Sequence, residues 1–161
     1  MKNKVYMAGP LFSEAEVNQR LLECKLIEGI IKDNGFDHEM FSPINAPSND
    51  KSKLPTAKEV FLADEIELMQ SKVIFADLSN EDAGVMMELG MVIHDENVKI
   101  YPYLSDIRIV TNGEYDGIYV PYGYNQFVIG GLEHYGHKVY SSFQKALSAY
   151  KEDFSSAENW Y

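Results

Sequence analysis

Val73-Ile74-Phe75-Ala76-Asp77, and then Asp82-Ala83-Gly84-Val85-Met86-Met87-Glu88-Leu89-Gly90, are the two runs whose reading decides the fold. Val73 to Ala76 is an unbroken apolar run, which is how a strand covered on both faces reads, and it predicts a central strand over Lys72 to Leu78. The second predicts a helix from Gly84 to Ile93. At helical spacing Glu88 has Gly84 and Val85 one turn behind and Met91 and Val92 one turn ahead. A helix that is apolar all round is expected to be buried, and a glutamate is seldom buried without a partner or a task. The plainer alternative is a glutamate near a helix start, where its charge suits the macrodipole.

Working outward, strand-like and helix-like segments alternate. Lys4 to Met7 is a short strand, and Ala8 to Phe12 is a loop. Ser13, with Glu16 three residues on, forms a capping box that opens a helix to about Asn34, where Gly35 stops it. Phe36 to Phe41 is a second strand, followed by a polar loop from Ser42 to Pro55. Thr56 and Glu59 make a second capping box, opening a helix to about Ser71. Beyond the Glu88 helix come a strand at Lys99 to Leu104, a long loop over 105–124, a helix at Asn125 to Tyr135, a fifth short strand at Lys138 to Tyr140, and a last helix capped by Ser142. Such alternation predicts an α/β fold, a flavodoxin-like (Rossmann-like) five-stranded parallel sheet with helices on both faces. Ligands of such sheets bind beyond the carboxyl ends of the strands at the switch point. The loops carrying Gly9-Pro10 and Asp77 to Gly84 are therefore expected to meet there.

Composition narrows the function. The 161 residues fit one domain, 1–161. The net charge of −11, with only Arg20 and Arg108 as arginines, argues against nucleic acid, an anionic membrane or a polyanionic substrate. No run approaches the roughly 18 apolar residues of a membrane span, and the start does not read as a signal peptide, so the protein is expected to be cytoplasmic. The single Cys24 makes neither an internal disulfide nor a zinc site, and the scattered histidines form no metal motif. The first loop lacks the later glycines of a dinucleotide fingerprint, and no phosphate loop or nucleophile elbow is present. No cofactor or metal is expected.

What remains is carboxylates. Asp64 shares a stripe with Ala57, Phe61 and Leu68 on the second capped helix. Asp82 precedes the Glu88 helix, where it can serve as an N-cap. Asp77 ends the central strand as a turn residue, and Tyr6 ends the first. Three carboxylates (Asp64, Asp82 and Glu88) and a phenol converging on one switch point suit nucleophilic or acid–base work at a glycosidic carbon.

The run Tyr6-Met7-Ala8-Gly9-Pro10-Leu11-Phe12, Asp64, and the Asp82-x-Gly84-x-x-x-Glu88-x-Gly90 stretch resemble, in order and spacing, the nucleoside 2-deoxyribosyltransferase family. The resemblance covers most of the chain to about residue 136. It implies transfer of a 2-deoxyribosyl group between nucleobases, with Glu88 as the nucleophile, Tyr6 holding it, and Asp64 facing the base. It implies that Asp82 binds a sugar hydroxyl, that Asn125 is lent across a homo-oligomer interface to the same hydroxyl, and that Tyr161 reaches the site. Gly9, Pro10, Phe12 and Gly84 would line the substrate. Relatives that hydrolyse deoxynucleoside 5′-monophosphates carry a serine where Asp82 stands; an aspartate beside a phosphate is repulsive, which favours a nucleoside. Two alternatives stay open: an N-glycoside hydrolase of deoxynucleosides or their monophosphates, and a non-catalytic nucleotide-sensing module on the same fold.

Overall fold

The computed structural model describes residues 3–46, 54–105, 112–115, 118–121 and 124–155. Its frame is a parallel sheet in the order β2-β1-β3-β4, with β1 Asn3–Ala8, β2 His38–Phe41, β3 Ser71–Asp77 and β4 Lys99–Tyr103. The helices are α1 Glu14–Asn34, α2 Ala57–Gln70, α3 Ala83–Val92, α4 Gln126–His134 and α5 Phe143–Ser155. A short 3-10 turn, Pro43–Asn45, follows β2.

The helix ends are set by local chemistry. The Ser13 and Thr56 side chains accept from the Glu16 and Glu59 amides, and both glutamates reach back to close their capping boxes. Gly35 stops α1 in the left-handed region at φ 65°, which is accessible to glycine without steric cost. Alternation along the strands then divides the core in two. Tyr6, Ala8, Ile74 and Ala76 pack with Leu68 of α2, Val85 and Leu89 of α3, and Leu132 of α4. Val5, Met7, Val73 and Phe75 pack with Cys24 and Ile27 of α1 and with Phe143 and Tyr150 of α5. Helices therefore cover both faces, as the sequence predicts.

Two expectations change. The fifth strand contracts to one parallel bridge between Tyr103 and Tyr140. Tyr140 still donates to the Pro102 carbonyl and accepts from the Leu104 amide, so the chain passes along the sheet edge without extending the ladder. The stretch 105–124 is not wholly loop: β5 Asn112–Tyr115 pairs antiparallel with β6 Ile118–Pro121. Tyr122 and Tyr161 lie outside the described residues.

The order of the sheet fixes where a site can form. β1 and β3 are neighbours, joined in register from Val5–Val73 to Ala8–Ala76, while their connections leave on opposite sides. The carboxyl ends of these two strands border the crevice that α/β sheets use for ligands.

Candidate active site

Tyr6 lies in the last half of β1, fully buried, with Phe41 against its ring at 5.5 Å between centroids. Its hydroxyl donates to Glu88 Oε1 at 2.6 Å. Glu88 stands mid-way along α3 and is half-buried. The surroundings are less enclosed than the apolar sequence predicts. Val85, Leu89 and Val92 are buried, but Gly84 and Gly90 are exposed and Met87 is 57% exposed. One side of α3 faces the core, and the other is left uncovered.

Asp64 comes to the same place from α2. With Glu88, Gly84, Phe61, Met87 and Met91 it lines a cavity of about 150 Å³. Asp64 Oδ1 is buried and finds no hydrogen-bond partner among the described residues. Asp82 caps α3, its Oδ1 accepting from the Val85 amide at 2.9 Å. Gly84 is close-packed: a methyl group there would meet Asp82 Oδ1 at 3.0 Å.

The charges of this group are coupled. Glu88 is raised from its ordinary 4.5 to about 7. Burial is the main cause; the Tyr6 hydrogen bond opposes it, and the charges of Asp64 and Asp82 add to it. The rise corresponds to roughly 3 kcal/mol of preference for the protonated form. Burial also raises Asp64. Tyr6 is pushed far above its ordinary range, first by burial and then by Glu88, so its proton stays on the phenol and it acts as a fixed donor. The arrangement can offer a poised carboxylate to an electrophilic carbon and a second carboxyl group to a leaving atom.

Other residues singled out from the sequence are more dispersed. Gly9 and Pro10 follow β1 and Phe12 is 86% exposed, but none of them lines the cavity. Asn125 is an exposed N-cap of α4, its Oδ1 accepting from the Phe127 and Val128 amides at 3.0 and 3.3 Å. Tyr124 beside it donates to the Leu78 carbonyl at 2.7 Å, which pins the start of α4 to the exit of β3. A larger depression of about 380 Å³, around His94, Lys99 and His137, lies at the other end of β4. It is away from the coupled carboxylates, so the smaller cavity is the better candidate.

A buried polar cluster on the α1 side of the sheet was not anticipated. Arg20 Nη2 meets Asp77 Oδ2 at 2.7 Å and Glu23 Oε2 at 2.8 Å. Tyr103 donates to the same Glu23 oxygen at 2.8 Å. Asp77 keeps the turn role read from the sequence, its Oδ1 accepting from the Ser79 amide at 2.9 Å. The available signal was the i, i+3 pairing of Arg20 with Glu23 on the helix face that carries Cys24 and Ile27.

Fold and site together define an α/β protein with a parallel sheet, a phenol-held glutamate and a second carboxyl group beside it. Comparison narrows the class. A family model described as nucleoside 2-deoxyribosyltransferase matches residues 5–156, and the chain belongs to that family. It is 29% identical over 116 residues to an uncharacterized protein, UU063, from Ureaplasma parvum serovar 3, covering 67% of this chain and 73% of that one. Among solved structures it is similar to a conserved protein from Enterococcus faecalis V583, with a TM-score of 0.74 at 25% identity over 95% of this chain and 99% of the other. The 2-desoxiribosyltransferase from Leishmania mexicana shares the fold with a TM-score of 0.62 at 20% identity, over 93% and 97% of the two chains. The 2-deoxyribosyltransferase from Bacillus psychrosaccharolyticus does so with 0.58 at 18%, over 89% and 90%. Among the described residues no helix is long and apolar enough to cross a membrane, and no cluster of three metal-ligating side chains occurs.

Two predictions follow the electrostatics. Removing the Tyr6 hydrogen bond removes what holds Glu88 down. In Tyr6→Phe, the side-chain carboxyl carbon of Glu88, followed by NMR, is expected to titrate above the wild-type value of about 7; a midpoint at or below the wild-type value contradicts the coupling. The second concerns stability. Because Glu88 is raised in the fold, ionising it costs stability as pH rises from 4.5 through about 7, and the cost is fully present above that. Glu88→Gln, which keeps an acceptor for Tyr6, is expected to melt higher than wild type at pH 8 and to lose that advantage below pH 4.5. Equal melting temperatures across the window contradict it.

Proposed function

We propose that the protein transfers a 2-deoxyribosyl group between nucleobases through a covalent intermediate on Glu88, in nucleoside salvage. The observation that carries this reading is the Tyr6–Glu88 hydrogen bond of 2.6 Å beside the unpartnered Asp64 Oδ1. A half-buried carboxylate held in one orientation is a nucleophile with few competing positions. In the first step, Glu88 Oε attacks the anomeric carbon, the bond to the base nitrogen breaks, and Asp64 gives that nitrogen a proton. In the second, a nitrogen of the incoming base attacks the same carbon, the ester to Glu88 breaks, and Asp64 takes up the proton. The raised carboxyl of Asp64 suits it to hold that proton. Asp82 uses one oxygen on the helix cap, which leaves the other for the sugar 5′-hydroxyl.

The site is proposed to be completed by a second copy of the chain. A cavity of about 150 Å³ is small beside the roughly 300–1,000 Å³ of small-molecule sites. Next to it Leu62, Ile66, Met69 and Met87 are 42 to 57% exposed, an apolar strip that another subunit can cover. Asn125, exposed in the same chain, is then the residue a neighbour lends. Gly9, Pro10 and Phe12 form the loop over the substrate, and Tyr161 is assigned to the site from the family resemblance.

Incubation with a deoxynucleoside and a second free base is expected to yield the exchanged nucleoside by chromatography. Glu88→Ala is expected to abolish that product with the melting transition kept. Free deoxyribose alone would point instead to a hydrolase, and binding without turnover to a sensing module. Subunit sharing is tested by mixing. Asn125→Ser keeps an oxygen for the helix cap but removes the amide donors. Glu88→Ala and Asn125→Ser, each inactive alone, are expected to recover part of the activity once their subunits exchange. No recovery after verified exchange means that each chain builds its site alone.

A further inference from the structure

Arg20 is almost completely buried at the carboxyl end of the sheet, on the face opposite Glu88. Its Nη2 serves both Asp77 and Glu23, while Nε and Nη1 have no hydrogen-bond partner among the described residues. Both unpartnered atoms are shut off from solvent, and buried donors without acceptors are rare. The guanidinium presses on Gly9. A methyl group on Gly9 would overlap Arg20 Nη1 and come within 2.7 Å of its Cδ, so only glycine lets the loop approach this closely. One turn earlier on α1, Glu16 accepts from the Phe12 and Ser13 amides and from the Asn80 side chain. The same helix therefore touches the Gly9–Phe12 loop and the β3–α3 loop twice. At the exposed end it does so through Glu16, and at the buried end through Arg20, Gly9 and Asp77.

We propose that Arg20 is a positioning residue for substrate: it sets the gap between the Gly9–Phe12 loop and the loop that runs from Asp77 to Asp82. The proposal rests on the deoxyribosyl-transfer reading for its kinetic consequence, though not for its structural one. Asp77 fixes one side of the gap by its ion pair to Nη2, and Gly9 fixes the other by contact with Nη1. Lysine cannot replace this arrangement. It keeps the charge that Asp77 and Glu23 require, but it has no planar fork to span three partners.

Three proteins test the idea: wild type, Arg20→Lys, and the triple variant Arg20→Met, Glu23→Gln, Asp77→Asn. The triple variant leaves no buried charge unpaired, and its amide side chains still accept from Ser79 and Tyr103. Hydrogen exchange without ligand is read first. Amides of Gly9, Leu11 and Phe12 are expected to exchange faster in both variants than in wild type, while α3 and α5 keep their protection. With deoxynucleoside present, KM is expected to rise about tenfold or more while kcat changes by less than about threefold, since loop geometry governs binding more than chemistry. Arg20→Lys is expected to retain the wild-type melting temperature without recovering KM, a split that a purely structural role would not give. Wild-type loop exchange in both variants overturns the proposal, as does a wild-type KM in variants of an active enzyme. If wild type neither binds nor converts nucleosides, the transfer reading fails, and the exchange of residues 9–12 alone decides the role of Arg20.

Discussion

The hydrogen bond from Tyr6 to Glu88 sets the character of the site, because it decides between two opposed forces on one carboxyl group. Burial and the charges of Asp64 and Asp82 favour the protonated acid, while the phenol favours the carboxylate. The balance at about 7 leaves an appreciable ionised fraction near neutral pH. A carboxylate of raised pKa is also a stronger nucleophile than one left in water, so partial burial suits the chemistry we propose for Glu88. Tyr6 can hold this position because it is itself fixed, fully buried in β1 between β2 and β3.

The two faces of the sheet carry different work. On the α2, α3 and α4 side lie Tyr6, Glu88, Asp64 and Asp82, the groups we propose to meet a sugar and its base. On the α1 and α5 side Asp77 and Tyr103, at the ends of β3 and β4, meet Arg20 of α1 in a cluster closed to solvent and suited to holding loops. Strand alternation makes this division, since residues two apart share a face and neighbours do not. Tyr6 points to one cluster, while Gly9, three residues on, presents its bare Cα to the other. Along α2 and α3 a third element, the apolar strip of Leu62, Ile66, Met69 and Met87, stays exposed, and its Met87 lines the cavity.

Much of this was legible in the sequence because it is local. The capping boxes at Ser13 and Thr56 depend on residues three apart, and both formed. The apolar run around Phe75 announces a strand covered on both faces, and Glu88 stands out against the apolar helix that follows it. Tertiary features were harder to read. The ion pair between Arg20 and Asp77 joins residues on different elements, and nothing in either neighbourhood marks the partner. The hairpin had a local signal that the surrounding glycines and tyrosines concealed: the dipeptide Asp116-Gly117 stands in sequence between Tyr115 and Ile118, and Asp-Gly is a favoured sequence for connecting paired strands. The strand expected at Lys138 to Tyr140 gave way to a single bridge because it lies at the sheet edge, where one neighbour stabilises it instead of two. The open side of α3 escaped a purely periodic reading, since Gly84, Met87 and Gly90 look as apolar in sequence as the buried Val85 and Leu89.

The central claim is that a glutamate carries the sugar. Rapid acid quenching of the enzyme with a deoxynucleoside, followed by proteolysis and mass spectrometry, tests it without relying on any mutant. The account predicts a deoxyribosyl ester on the peptide containing Glu88, formed before a second base is added and discharged by it. An adduct on another carboxylate, or none in an enzyme that exchanges bases at full rate, would contradict it.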